Sequence, residues 1–155
     1  MDALKNYHGI FLKSVNDDTN LDYIYNKIRE INPSIEIFKS NIEIKNISKF
    51  NIDKNYIIFS GVGNPDSFKN LLIKNKFNII EEIIFPDHYN YQSKDISKII
   101  DKANSNNAEI ITTEKDFKRI PQNFKEKISF LEINMKIKNE SKLVQFLKTK
   151  INEIN

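Results

Sequence analysis

The segment Tyr56-Ile57-Ile58-Phe59 puts four apolar residues in a row, bounded by Asn55 and by Ser60-Gly61. It constrains the fold more than any other stretch. A strand wetted on one face alternates apolar and polar residues, whereas an uninterrupted apolar run belongs to a strand buried on both faces. Such a strand needs covering layers on two sides, and its neighbours supply them. Phe68, Leu71 and Leu72 recur at helical spacing, and residues 79–85 read as the next strand. Ser93 is placed to cap a helix carrying Ile96, Ile99, Ile100 and Ala103, and residues 108–113 read as another strand with a short helix after it. A last strand is read at 128–133. Leu143, Val144, Phe146, Leu147, Ile151 and Ile154 then form the stripe of a C-terminal helix with Lys142, Lys148 and Lys150 opposite it, read as a core-packing face in preference to one resting on a membrane surface. Upstream, 8–13 is a short apolar stretch, Leu21, Ile24, Ile28 and Ile31 have helical spacing up to Asn32-Pro33, and 35–38 alternates like a strand. The polar stretch 40–55 has no firm assignment. Strands alternating with helices give an α/β fold: three layers, Rossmann-like, a largely parallel sheet with flanking helices.

With 155 residues and no linker or repeat, the expectation is one α/β domain over 1–155. The net charge of +3, from 24 cations and 21 anions, comes without a basic patch interleaved with aromatics, so no nucleic-acid partner is expected. The absence of cysteine excludes a disulfide scaffold, a thiol nucleophile and a Cys-ligated zinc site. No apolar run reaches the roughly 18–20 residues of a membrane span. The first residues, Met1-Asp2-Ala3-Leu4-Lys5, carry no signal-peptide pattern, and a soluble chain in a reducing compartment is expected. Only two arginines occur, Arg29 and Arg119. Glycine is scarcer than usual at three residues, Gly9, Gly61 and Gly63. A P-loop needs two glycines separated by four residues and followed by Lys and Ser or Thr, and the dinucleotide fingerprint needs three glycines; neither exists here.

Ligands of parallel α/β sheets bind at the carboxyl ends of the strands, and three loops there stand out. In Gly61-Val62-Gly63-Asn64-Pro65-Asp66, Asn64 suits an N-cap and Pro65 the first helical position. That describes an ordinary strand-to-helix turn, and equally a helix N-terminus offering N–H groups to an anion. Phe85-Pro86-Asp87-His88-Tyr89-Asn90-Tyr91 sets an Asp beside one of only two histidines, which is either an acid/base element or an Asx turn with a surface His. Thr113-Glu114-Lys115-Asp116 reads as a capped helix start with a solvated charge cluster, or as a place where Lys115 or Arg119 meets a phosphate. His8 is read as structural. No set of metal ligands is read from the spacing.

In this order and spacing the three loops resemble one family, the tetraacyldisaccharide 4'-kinases of lipid A biosynthesis. Their C-terminal half carries a G-I-G-N-P element after a strand, then F-P-D-H, then T-E-K-D at the end of the next strand. The counterparts are Gly61-Val62-Gly63-Asn64-Pro65, Phe85-Pro86-Asp87-His88 and Thr113-Glu114-Lys115-Asp116. Val62 replaces the usual Ile. Tyr89 stands where a second His is common, Tyr91 matches the family Tyr, and Phe117-Lys118-Arg119 replaces A-V-K with a cation kept at the last place. The resemblance is clearest over 56–119.

The resemblance implies a two-lobed enzyme that transfers the γ-phosphate of ATP, with Mg²⁺, to the 4'-hydroxyl of a lipid disaccharide 1-phosphate. It implies action on the cytoplasmic, inner face of the bacterial inner membrane, with peripheral membrane contact through the full enzyme. In the family the N-terminal lobe holds the P-loop, the metal-managing carboxylates and the membrane-facing helix. The C-terminal lobe closes over the nucleotide and brings an Asp-His pair to the active site. On that basis Asp87 orients His88, and His88 polarises the 4'-hydroxyl or stabilises transferred charge. Gly61, Gly63, Asn64, Thr113, Glu114, Lys115 and Asp116 support the nucleotide cleft. Because these 155 residues contain no P-loop, activity is expected only with a separate P-loop lobe. The alternative is a non-catalytic α/β binding module, or a decayed fragment of the kinase.

Overall fold

The structure, a computed structural model, describes residues 2–14 and 18–153, and of residues 2, 14 and 18–21 the backbone alone. Along the chain run β1 (Gly9–Ser14), α1 (Asp18–Ile31), β2 (Glu36–Ile44), β3 (Asn55–Ser60), α2 (Pro65–Lys74) and β4 (Asn78–Ile84). They are followed by α3 (Ser93–Ser105), β5 (Ala108–Thr113), α4 (Glu114–Phe117), β6 (Ser129–Leu131), β7 (Ile133–Ile137) and α5 (Glu140–Asn152). These elements fall into two compact units: Met1–Glu43 with Met135–Asn155, and Ile44–Asn134.

The second unit carries all three loops. Its sheet has the order β4-β3-β5-β6. Each described pairing in it is parallel. From β3 the chain crosses through α2 to β4 on one side, then through α3 to β5 on the other. Because such crossovers are right-handed, this reversal puts α2 and α3 on opposite faces of the sheet. The run 56–59 explains itself on that basis. Tyr56, Ile57, Ile58 and Phe59 are all fully buried. Alternation along the strand sends Ile57 and Phe59 into a cluster with Ile96, Ile99, Ile100 and Ala103 of α3. Tyr56 points the other way, 5.2 Å from the Phe77 ring behind α2. Burial there, with the charge of Glu109 adding to it, pushes the Tyr56 hydroxyl up to about 12.

The start of α2 follows from its sequence. Asn64 Oδ1 accepts the Ser67 N–H at 3.1 Å. Pro65 takes the first helical position, where an N–H is not missed, and Asp66 lies in the positively polarised first turn. The helix buries Phe68, Leu71 and Leu72. In α3 the cap is Gln92, one residue before the expected Ser93, and the reason is a reciprocal bond: the Gln92 N–H donates to Asp95 Oδ2 at 3.0 Å.

The first unit contains the sheet β1-β2-β7, in which β1 and β2 are parallel. Strand β2 runs past the expected end at Phe38 to Ile44, because Ser40 takes a fully buried position on the face of Phe38 and hides the alternation. The expected strand at 128–133 is two strands in two sheets. The break is at Glu132, where Asn46 Oδ1 accepts the Glu132 N–H at 2.9 Å and the Glu132 carbonyl accepts the Lys45 N–H at 2.7 Å. The stripe of α5 is only partly a core face. Leu143 is buried and Phe146 lies 5.3 Å from the Phe38 ring, whereas Val144, Leu147 and Ile151 are exposed and Ile154 lies outside the described residues. Among the described residues no helix is long and apolar enough to cross a membrane.

Candidate active site at the switch point of the sheet

Adjacent crossovers leave β3 and β5 in opposite directions, which opens a crevice beyond their carboxyl ends. Gly61 follows β3 there, and Thr113 ends β5. Asp116, in the first turn after β5, ties the two together. Its carboxylate is fully buried. Asp116 Oδ2 accepts the Gly61 N–H at 3.1 Å and the Thr113 hydroxyl at 2.7 Å. Thr113 Oγ1 in turn accepts the Asp116 N–H at 3.1 Å and caps α4. A buried carboxylate is costly unless its oxygens are satisfied; two loop ends supply the partners of Oδ2, whereas Oδ1 has no hydrogen-bond partner. Asp116 Oδ1 faces Arg119, whose Nη1 is 3.6 Å away.

Gly61 is small for a steric reason. A Cβ there would sit 3.0 Å from the Pro86 carbonyl oxygen, 3.0 Å from Tyr91 Oη and 3.4 Å from Asp116 Oδ1. The first of these is backbone and cannot swing aside. Gly61→Ala should therefore cost about 1–3 kcal/mol, read as a lowered denaturation midpoint at unchanged m-value. An unshifted midpoint would mean that the second loop yields freely.

The Pro86–Asp87–His88 turn packs back onto the first loop. The His88 N–H donates to the Gly61 carbonyl at 3.1 Å and to Asp87 Oδ1 at 2.9 Å. His88 is held at φ 60°, in the left-handed region, where a residue with a Cβ is strained by about 1–2 kcal/mol. Strain of that kind persists where surrounding contacts over-determine it, and functional sites are common places for it. Asp87 reaches the histidine through the backbone; Asp87 Oδ2 is 3.8 Å from His88 Nε2, beyond hydrogen-bonding distance. The ring contact comes from Arg119, whose Nη2 is 2.9 Å from His88 Nδ1. Behind the turn, Tyr91 is buried against Phe59 and Phe85. Burial, with the Asp116 charge adding to it and Arg119 opposing, pushes the Tyr91 hydroxyl well up, so it remains a protonated donor.

The site residues read from the sequence thus divide. Gly61, Asp87, His88, Thr113 and Asp116 meet at the crevice, and Gly63 joins them, since a Cβ on it would lie 3.3 Å from Asp87 Oδ2. Asn64 serves the cap of α2. Glu114 and Lys115 are exposed, and Glu114 pairs with Lys118 at 2.7 Å. Sequence reading missed the contact of Arg119 with the histidine ring. A signal existed. A chain that fills nearly every cationic position with Lys keeps Arg at 119, as a position needing a planar, two-pronged donor would demand. Among the described residues no three His, Asp or Glu side chains converge as a metal site.

A profile of the tetraacyldisaccharide-1-P 4'-kinases (LpxK) matches residues 12–152. The chain belongs to this family. A tetraacyldisaccharide 4'-kinase of Pelagibacter ubique is 39% identical over 152 residues, which is 98% of this chain and 48% of the relative. One from Rickettsia bellii is 38% identical over 106 residues, 67% of this chain and 33% of the relative. The chain thus spans about half the length of the Pelagibacter kinase it matches. The fold is similar to a crystal structure of LpxK from Aquifex aeolicus in complex with ATP, at TM-score 0.51 and 20% identity, over 91% of this chain and 51% of that one. Within a tetraacyldisaccharide 4'-kinase half-length, the Gly61, Asp87-His88 and Thr113–Asp116 loops are three parts of one hydrogen-bonded assembly.

Proposed function

We propose that this chain provides the switch-point loops of a tetraacyldisaccharide 4'-kinase, with His88 as the residue that meets the reacting groups. The reaction is transfer of the γ-phosphate of ATP to the 4'-hydroxyl of a lipid disaccharide 1-phosphate, at the inner face of the bacterial inner membrane. The observation that carries this reading is the Asp116 latch. A fully buried carboxylate is used to join the loop after β3 to the loop after β5, and the same cluster presents an exposed, backbone-strained histidine.

Phosphoryl transfer demands positioning and stabilisation of spreading negative charge more than covalent participation. A histidine held on a rigid turn suits that task. The phosphate cradle is assigned to another polypeptide segment, because the three glycines here cannot form a P-loop. Mg²⁺ would be held mainly by that same segment together with the phosphates of ATP, where it would neutralise charge on the transferred group.

The reading is tested by γ-phosphate transfer from labelled ATP to tetraacyldisaccharide 1-phosphate. The assay is run with this chain alone and with the P-loop half of a family member. Turnover only in the mixture is expected. No turnover in either arm would replace this reading with a non-catalytic binding module.

A further inference from the structure

We propose that Arg119 fixes His88 in the neutral tautomer carrying its proton on Nε2, so that His88 works as a hydrogen-bond donor and not as a proton acceptor. The role of that donor in phosphate transfer rests on the reading above; the tautomer itself does not.

A guanidinium has donors only and stays charged. The 2.9 Å approach of Arg119 Nη2 to His88 Nδ1 is therefore a hydrogen bond only if Nδ1 offers its lone pair. A neutral imidazole with a bare Nδ1 carries its proton on Nε2. Both partners are held independently. Arg119 Nη1 faces Asp116 Oδ1 at 3.6 Å, and that carboxylate is pinned by Gly61 and Thr113. The guanidinium is about three-quarters buried, whereas the histidine side chain is two-thirds exposed. His88 is set from the other side, by its N–H bonds to the Gly61 carbonyl and to Asp87. Asp87 Oδ2 stands 3.8 Å from Nε2 and Arg119 Nη2 2.9 Å from Nδ1, so of these two charged groups only Arg119 is within hydrogen-bonding distance of a ring nitrogen.

One guanidinium nitrogen approaches the imidazole at 2.9 Å while the other stands at ion-pair distance, 3.6 Å, from the carboxylate. An ammonium, a single point charge, does not reproduce that fork. Arg119 is accordingly a positioning residue, and the Nε2–H of the largely exposed side chain is the working group. A donor there can stabilise charge on a transferred phosphoryl oxygen. Taking a proton from a hydroxyl would first require Arg119 to leave Nδ1.

The test is long-range ¹H–¹⁵N correlation spectroscopy of the imidazole nitrogens in the 155-residue chain, at mildly alkaline pH. The chain has two histidines, so a His8→Gln background leaves His88 alone. In that background Nδ1 is expected to resonate as a fully unprotonated nitrogen and Nε2 as a protonated one. Arg119→Met should shift both toward the averaged values of a ring exchanging between tautomers, and Arg119→Lys should restore part of the difference. A proton on Nδ1 in the parent, or the same averaged pattern with and without Arg119, overturns the proposal. Should Arg119→Met fail to fold, the parent spectrum and Arg119→Lys still decide it. No activity enters the readout, so the tautomer assignment and the kinase reading fail separately.

Discussion

Asp116→Ala should lower the stability of the unit that carries it by about 3–5 kcal/mol, the usual consequence of removing one partner of a buried charged pair. The Gly61 N–H and the Thr113 hydroxyl lose their acceptor, and the Arg119 guanidinium loses the carboxylate facing it and keeps the His88 ring. That guanidinium carries a charge that is largely out of water. Asp116→Asn keeps the shape and one acceptor oxygen, and should cost about 1–2 kcal/mol. Urea midpoints measure both, and amide exchange at Gly61 localises the effect. The Gly61 N–H, protected while it donates to a buried carboxylate, should exchange faster in the alanine variant. An alanine variant within about 1 kcal/mol of the parent would show that backbone pairing of β3 with β5 holds the loops unaided.

His88→Ala should reduce phosphate transfer in the reconstituted kinase by at least about a hundredfold, or about 2.7 kcal/mol of transition-state stabilisation. The loss should fall on kcat, with KM for ATP little changed, because a group that acts on developing charge contributes little to ground-state binding. His88→Gln is the informative companion. Its amide offers a donor and cannot serve as a base at neutral pH. If His88 donates from Nε2, the glutamine variant should recover about tenfold over alanine. A base role would leave the two variants equally impaired. Both substitutions place a Cβ at φ 60°, so the backbone strain is common to them and cancels in the comparison. A rate for His88→Ala within about threefold of the parent would remove His88 from the chemistry.

Strands and helices with strongly periodic apolar residues were legible: 108–113 is a strand over those residues, the buried side chains of α3 are the four expected, and Asn64 caps α2. Legibility failed where a polar residue is buried for tertiary reasons. Ser40 obscured the second half of β2, and Asn46 splits what reads as one strand into β6 and β7. The helical stripe of α5 was visible as apolar, but periodicity reports a face and not what covers it; Val144, Leu147 and Ile151 are exposed.

By itself the sequence determined the α/β class, through the unbroken run Tyr56–Phe59, and the three strand-end loops with their motifs. Those are properties of contiguous residues, set by local sterics and by hydrophobic period. The tertiary structure alone decided what the loops do to one another. Gly61, Tyr91, Asp116 and Arg119 are separated by up to 58 residues along the chain. They converge because the chain leaves β3 toward β4 and leaves β5 toward β6, in opposite directions, while β3 and β5 lie side by side in the sheet. The latch on Gly61 and the hold of Arg119 on the His88 ring are pairings between loops. No periodicity along a single chain encodes such a pairing before the sheet has assembled.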